Sequence, residues 1–330
     1  LYLCDRIYVS RIKTEGECDQ FFPFDTISKF PQLGQPLRTR DFTRYVYTPQ
    51  VKHQESGYLD LLREVLLNGE EKYDRTGTGT RSLFGKHLEF DISSRLPVIS
   101  TKRVVFEKVV KELLFFISGS TDSNDLEQKG VKIWKANTST EFLSQQGLKY
   151  DAGDMGPLYP HQWRHAGAEY IDCHEDYSGQ GIDQLETLIQ GIKEAPYSRR
   201  HLMNSWNVVD ISKMALPPCH FAVQFNVSGD GLHLDCQVYQ RSADMFLGVP
   251  WNITSYAILT YMIAHLTRLR PRKLSFAYGD VHIYSTHIEA VEKQLKRTPI
   301  PWPVLKFRSS KKLNSIDDFC VSSFILEGYN

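Results

Sequence analysis

The sequence predicts a fold that interleaves helices and strands, with an antiparallel pair inside its sheet, and two periodicities carry that prediction. From Glu55 to Asn68, the residues Tyr58, Leu61, Leu62, Val65 and Leu66 recur at i, i+3, i+4, which is one face of a helix, and Gly69 supplies a stop. Further on the period falls to two. Phe221, Val223, Phe225 and Val227 alternate along one run, and Leu232, Leu234, Cys236 and Val238 along the next. Ser228-Gly229-Asp230-Gly231 lies between the runs and reads as a hairpin turn.

The remaining elements follow in chain order. Ile7, Tyr8 and Val9 mix β-branched and aromatic residues ahead of a polar Glu15-Gly16-Glu17 turn, so residues 1–19 read as a strand end. Pro23, Pro31, Gly34, Pro36 and Pro49 mark a linker over 23–50. A second helix is expected from Val104 to Ile117, with Val105, Val109, Leu113 and Phe116 on one face. A third is expected from Ile182 to Ile192, around Leu185 and Ile189. Ile253 to Leu266 is mostly apolar, interrupted by Thr254, Ser255 and His265. It falls short of the ~18 apolar residues of a membrane span and reads as a buried core helix. No repeat or low-complexity segment stands out.

The chain has 330 residues, room for about two domains at roughly 150 residues each, or one large one. Hydrophobic residues make up 41%, which supports a sizeable core and argues against disorder. The formal net charge is +0, so bulk charge draws the chain to neither nucleic acid nor membrane, and anion binding depends on local arginines. Cys4, Cys18, Cys173, Cys219, Cys236 and Cys320 are scattered, with no Cys-x-x-Cys pair. That argues against a disulfide framework or a zinc ribbon and for a reducing compartment. Glycosylation sequons at Asn137, Asn226 and Asn252 are read as chance matches, since no signal peptide precedes them. The first residue is Leu1, not methionine, as in a fragment or a trimmed chain.

The chemistry centres on Cys219, which follows Pro217-Pro218 and precedes a strand. The prolines hold the backbone, and nearby cations would favour the thiolate, the form that attacks carbon. Arg241 and Ser242, with Asp244 just beyond, come about twenty residues later. Arg75 lies in a hydroxyl-rich loop, Asp74-Arg75-Thr76-Gly77-Thr78-Gly79-Thr80, and Arg199-Arg200 follow the Pro196 turn. Guanidinium forks suit a phosphate dianion. The 74–80 loop lacks the Gly-Lys-Ser/Thr ending of a P-loop, which argues against a triphosphate cradle. Glu112 falls between Val109 and Phe116 on a helix face, where a carboxylate must be paired, hydrated or protonated. His161 and His165 have metal-helix spacing without the glutamate that a metalloprotease needs, and His282 with His287 adds nothing to it, so no metal is expected. His220 beside Cys219 suggests a cysteine–histidine hydrolase, but strand neighbours point to opposite faces.

The blocks DRTGTGT (74–80), TKRV (101–104), KELLFFISGST (111–121), IWKAN (133–137), GDMGPLYPHQWRH (153–165), DYSGQGIDQL (176–185), MALPPCH (214–220), YQRSADMFLGVPWNI (239–253) and GDVHIY (279–284) occur in the order and approximate spacing of thymidylate synthase. From about residue 53 to 330 the chain resembles that family. The resemblance implies an α+β fold, a mixed six-stranded sheet with helices, in a homodimer formed by back-to-back sheets. It implies reductive methylation of dUMP to dTMP, with 5,10-methylenetetrahydrofolate supplying carbon and hydride and leaving as dihydrofolate. No metal, membrane or DNA partner is implied, and the expected compartment is the cytoplasm, with mitochondrial and nuclear pools left open.

Residue roles are likewise carried by the resemblance. Cys219 would add to uracil C6. Glu112 would organise water and proton transfers, supported by Tyr159 and His220. Arg75, Arg241 and Ser242 would hold the phosphate, with Arg199 and Arg200 reaching it from the partner subunit. Gln240, Asp244, Asn252, His282 and Tyr284 complete the nucleotide site, the last two at the deoxyribose hydroxyl. Lys102, Ile133, Trp134, Asn137, Asp244, Leu247, Gly248, Trp251 and Tyr284 make the folate site. The Asn252 amide can accept from N3–H and donate to O4, the uracil pattern, whereas a carboxylate would suit cytosine. This favours the methylase over the related cytosine hydroxymethylases, and Asn252 can also cap a helix.

Some positions depart from the family. Pro160 stands where glycine is usual and is expected to shift Tyr159. Lys135 replaces aspartate, Trp251 a phenylalanine and Thr286 an asparagine. The chain stops at Asn330, where family members continue into a short closing tail. That leaves a non-catalytic dimeric nucleotide-binding or interaction domain as the alternative. Finally, Cys4 to Ile12 with Phe21-Phe22-Pro23 resembles the closing hairpin of dihydrofolate reductase. The expected organisation is a reductase remnant at 1–22, a linker at 23–50 and a synthase domain at 51–330, within a bifunctional parent of the protist type. NADPH would be used only with a complete reductase domain.

Overall fold

The structure is a computed structural model that describes residues 7–12, 32, 35–47, 53–73 and 77–329. It divides into two units, Leu1–His53 and Gln54–Asn330. In the first, β1 (Ile7–Ile12) pairs antiparallel with β3 (Phe42–Tyr47), and β3 with β2 (Leu37–Arg38). The linker expected over 23–50 is therefore corrected for 37–47. Phe42, Tyr45 and Val46 are good strand formers, and their backbone is paired, whatever the prolines around them suggest. Phe21-Phe22-Pro23 and most of the expected reductase hairpin lie outside the described residues.

The second unit is built on a six-stranded sheet. β4 (Glu70–Lys72), β5 (Thr80–Asp91), β9 (Arg270–Tyr284), β8 (His233–Asp244), β7 (His220–Val227) and β6 (Leu202–Asn204) lie side by side in that order. All neighbours run antiparallel except β8 and β9, so the sheet is mixed and the class is α+β, as expected. The hairpin at 228–231 joins β7 to β8, where Ser228 N–H donates to the His233 carbonyl at 2.9 Å. A pairing irregularity between His220 and Ala222 breaks the ladder beside Cys219. β10 (Val304–Phe307) and β11 (Phe324–Glu327) form a separate small pair.

Helices cover the sheet. α1 (Ser56–Asn68) buries Tyr58, Leu61, Leu62, Val65 and Leu66, the stripe the periodicity picks out. α2 (Phe106–Ser118) buries Val109, Leu113 and Phe116, and ends at Gly119, whose φ of 80° lies in the left-handed region that favours glycine. Val105 stays outside the helix and exposed. After α3 (Ser123–Gln128) and α4 (Thr140–Gln145) come α5 (Tyr159–Arg164) and α6 (Gln184–Glu194), the latter capped by Asp183. α7 (Gly248–Thr267) is apolar around nearly its whole circumference and packs against β8, β9 and α2. A helix of that pattern has no solvent face and becomes the centre of the core. α8 (Ile288–Leu295) completes the set. Among the described residues, no helix is long and apolar enough to cross a membrane.

One buried charge ties the unit together. Glu55, just before α1, is fully buried. Its carboxylate accepts from Ser100 N–H at 2.8 Å, Ser100 Oγ at 2.7 Å, Thr101 N–H at 3.1 Å and Thr101 Oγ1 at 2.5 Å. Four donors offset the loss of water. They also fix the segment that leads into Lys102, at the rim of the cavity described next.

Candidate active site

Cys219 sits at the mouth of β7, half-buried in the wall of a cavity of ≈ 700 Å³. Its backbone N–H donates to Tyr159 Oη at 2.7 Å. Arg241 wraps around the same turn. Its Nε donates to the Pro218 carbonyl at 3.0 Å and its Nη2 to the Pro217 carbonyl at 2.9 Å, which leaves Nη2 3.9 Å from Cys219 Sγ. Trp206 lies under the guanidinium, with the ring centroid 5.5 Å away. A fixed cation at that range stabilises a thiolate, so the Pro-Pro turn and Arg241 together hold the sulfur in place and favour its nucleophilic form. β8 runs on past Arg241 to Asp244.

Pro160 follows Tyr159, whose hydroxyl meets the Cys219 N–H and whose ring lines the cavity. It occupies the first turn of α5, where its missing N–H would have no helical partner in any case. The Tyr159 ring stacks on His220 with centroids 4.2 Å apart and planes 8° from parallel. His220 turns away from Cys219, its Nδ1 meeting Tyr256 Oη at 2.7 Å. Burial pushes its imidazole down to about 3, so it is neutral at physiological pH. A cysteine–histidine hydrolase pair is therefore not formed.

Glu112 is buried on α2 and faces the cavity. Trp134 Nε1–H donates to one carboxylate oxygen at 2.8 Å and Trp251 Nε1–H to the other at 2.5 Å. Burial raises the carboxyl to about 7, while the two indole donors pull the other way. The group is thus poised to take or release a proton near neutrality. Trp251, one of the departures noted above, supplies one of its two ligands. Lys135, another, pairs with Glu127 at 2.6 Å on an exposed face, and Thr286 sits in the exposed turn after β9.

Across the cavity, Gln240 Nε2 donates to the Ser242 carbonyl at 3.0 Å and to Asn252 Oδ1 at 3.2 Å, which orients the Asn252 amide. Asp244 accepts from Phe246 and Leu247 N–H at 2.9 and 3.1 Å, shaping the turn into α7. His282 Nδ1 meets Asp280 Oδ1 at 2.9 Å, which leaves Nε2 for a ligand, with Tyr284 edge-on at 5.2 Å. Ile133, Trp134, Asn137, Leu247, Gly248 and Trp251 line the more apolar side. Lys102 reaches in at the rim, its Nζ 3.9 Å from the Phe246 ring centroid and donating to the Phe246 carbonyl; burial lowers its pKa.

The structure thus gathers nearly all the expected residues around one cavity. Arg75 lies outside the described residues. Arg199 and Arg200 are exposed and line no part of this cavity; Arg200 borders a different one, with His201 and Trp206. Tyr256 and Asp280, which orient His220 and His282, were missed, as was Arg103 at the rim. Asp280 and Arg103 lie within motif blocks already singled out, so their signal was present. Tyr256 shows as one more apolar residue of a core helix.

The family model for thymidylate synthase matches residues 56–330. The chain belongs to the thymidylate synthase family. The thymidylate synthase of Equine herpesvirus 2 (strain 86/87) is 50% identical over 281 residues, covering 85% of this chain and 96% of its own length. That of Homo sapiens is 50% identical over 283 residues, 86% of this chain and 89% of the relative. The bifunctional dihydrofolate reductase-thymidylate synthase of Zea mays is 49% identical over 371 residues, 99% of this chain and 70% of the relative. As a thymidylate synthase the chain is a methyltransferase, with methylenetetrahydrofolate as co-substrate.

Proposed function

We propose that Cys219 forms a covalent bond from Sγ to C6 of the dUMP uracil, within the cavity it shares with Glu112, Asn252 and His282. The observation that carries this reading is the thiol held 3.9 Å from the Arg241 guanidinium on a backbone turn that Arg241 itself clasps. Bonding at C6 places electron density on C5 and makes that carbon the nucleophile. Methylenetetrahydrofolate supplies the one-carbon unit and the hydride, and leaves as dihydrofolate. The apolar wall of Ile133, Trp134, Leu247 and Trp251 beside the thiol fits a flat folate ring. Glu112 manages the C5 proton and its water, since its carboxyl can both accept and return a proton near pH 7. Asn252 reads N3–H and O4, with Gln240 holding its amide, and His282 and Tyr284 meet the sugar hydroxyl. Arg241 and Ser242 take the phosphate, joined by Arg75 and by Arg199 and Arg200 of a second copy of the chain in a homodimer.

Residues 1–22 are read as the end of a reductase domain, supported by the coverage of 99% of this chain by the bifunctional maize relative. NADPH then belongs to the complete parent alone. The reading includes a cytoplasmic location, which the scattered cysteines without a Cys-x-x-Cys pair fit.

Intact-mass analysis with the 5-fluoro analogue of dUMP and methylenetetrahydrofolate tests the covalent step. The wild-type chain is expected to gain one nucleotide–folate adduct. Cys219→Ser should lose the adduct and depress turnover by roughly 10⁴-fold or more, the scale seen when a covalent nucleophile is removed. Undiminished turnover in that variant would overturn the mechanism. Offering dCMP in parallel should yield no hydroxymethyl product, because Asn252 matches uracil.

A further inference from the structure

A second constellation lies away from the catalytic cavity. Cys173 and His174 sit in the loop between the bridge residues Ala166 and Ile182, and Asp122 caps α3. The neighbouring Cys173 thiol and His174 imidazole and the sequence-distant Asp122 carboxylate each place one ligand atom within 4.8 Å of the other two. Cys173 Sγ is 3.8 Å from His174 Nε2. In a tetrahedral zinc site with Zn–S of about 2.3 Å and Zn–N of about 2.0–2.1 Å, that edge spans about 3.6 Å. The pair therefore stands close to ligating distance already, and the Asp122 carboxylate must close in from within 4.8 Å to complete the set.

The surroundings favour a cation. Asp151 Oδ2 lies 3.8 Å from the same His174 nitrogen. Asp154 accepts from Cys173 N–H at 2.9 Å and Asp172 from His174 N–H at 2.8 Å. Among the described residues, no lysine or arginine pairs with Asp122, Asp151, Asp154 or Asp172. The two segments are also held in place beforehand. Asp122 and Asp154 form an isolated strand bridge, Ser123 N–H donates to the Gly153 carbonyl at 2.8 Å, and Tyr177 Oη accepts from Ile171 N–H at 2.9 Å. The backbone that carries the ligands is thus ordered in advance, and binding would still have to fix the exposed His174 side chain.

We propose that Asp122, Cys173 and His174 form a structural site for a divalent ion of the zinc class, with Asp151 or water in the fourth position. The donor set decides the class. One thiolate and one imidazole suit zinc, whereas magnesium and calcium prefer oxygen alone. Cys173 loses its thiol proton to solvent on binding. The ion joins the 166–182 loop to the start of α3, and so strengthens the fold without entering the chemistry at Cys219. The link was illegible in the sequence because its third ligand comes from a distant segment.

Cobalt(II) is the probe, added to the full chain after treatment with a chelator. One equivalent should bind and give a thiolate-to-cobalt charge-transfer band. Cys219→Ser should keep the band, which separates this site from the catalytic thiol. Cys173→Ser should abolish it, and His174→Ala should weaken binding by roughly tenfold or more. Zinc should raise the melting temperature of the wild-type chain but not of Asp122→Asn, in which asparagine still caps α3. A band that survives Cys173→Ser, or the absence of any band or melting shift in the wild-type chain, overturns the proposal.

Discussion

Glu112 shows how a single residue is tuned by two opposed effects. Burial disfavours its charge, and the Trp134 and Trp251 indoles favour it, leaving the carboxyl at about 7. Folding therefore prefers the protonated acid. The stability this preference contributes is complete below the unfolded value of 4.5 and is lost as pH rises through about 7. Glu112→Gln should be more stable than wild type at pH 8, by up to about 3 kcal/mol, with little gain at pH 4.5. Denaturant melts at the two pH values measure this, and a gain equal at both would contradict it. Removing one donor has the reverse sense. Trp251→Phe takes away a hydrogen bond to the carboxylate, so the Glu112-dependent limb of the rate–pH profile should move upward by up to about one pH unit.

Elements supply what no residue can, a fixed distance between groups remote in sequence. β8 and β9 run parallel and bring Arg241 beside Gly279. A Cβ at Gly279 would stand 2.7 Å from the Arg241 carbonyl oxygen and 3.3 Å from its carbonyl carbon. Only glycine lets the strands approach so closely. Gly279→Ala should cost about 1–3 kcal/mol by overpacking and, by displacing Arg241, should loosen the Pro217–Cys219 turn. Slower alkylation of Cys219 in a folded Gly279→Ala chain would report that displacement, and unchanged reactivity would refute the coupling. α5 makes the complementary contribution, with Pro160 in its first turn and Tyr159 held against both Cys219 N–H and the His220 ring.

At the scale of the molecule, the cavity of one chain holds the thiol, the buried acid and the uracil reader, yet Arg199 and Arg200 lie elsewhere on the surface. If those arginines act across a dimer, two inactive proteins should complement each other. Mixing Cys219→Ser with an Arg199→Ala/Arg200→Ala double variant and allowing subunits to exchange should restore a fraction of wild-type turnover, because one mixed site carries both wild-type contributions. No recovery after verified exchange would place the phosphate clamp within one subunit. Burial of neutral His220 acts on the whole molecule too. Its contribution is present above 6.5 and is lost as pH falls toward about 3.

Local pattern was enough to reveal the amphipathic helices, the 228–231 hairpin and the buried α7, because each depends on spacing within one segment. The motif blocks named the cavity residues for the same reason, since Cys219 with its prolines and Glu112 on its helix are local signals. Convergence was different. Arg241 clasping the Cys219 turn, Trp134 and Trp251 sharing one carboxylate, Glu55 filled by Ser100 and Thr101, and β3 pairing with β1 all require partners from distant segments. Hydrogen bonds and burial between such segments exist only once the chain has folded, so tertiary structure alone decided them.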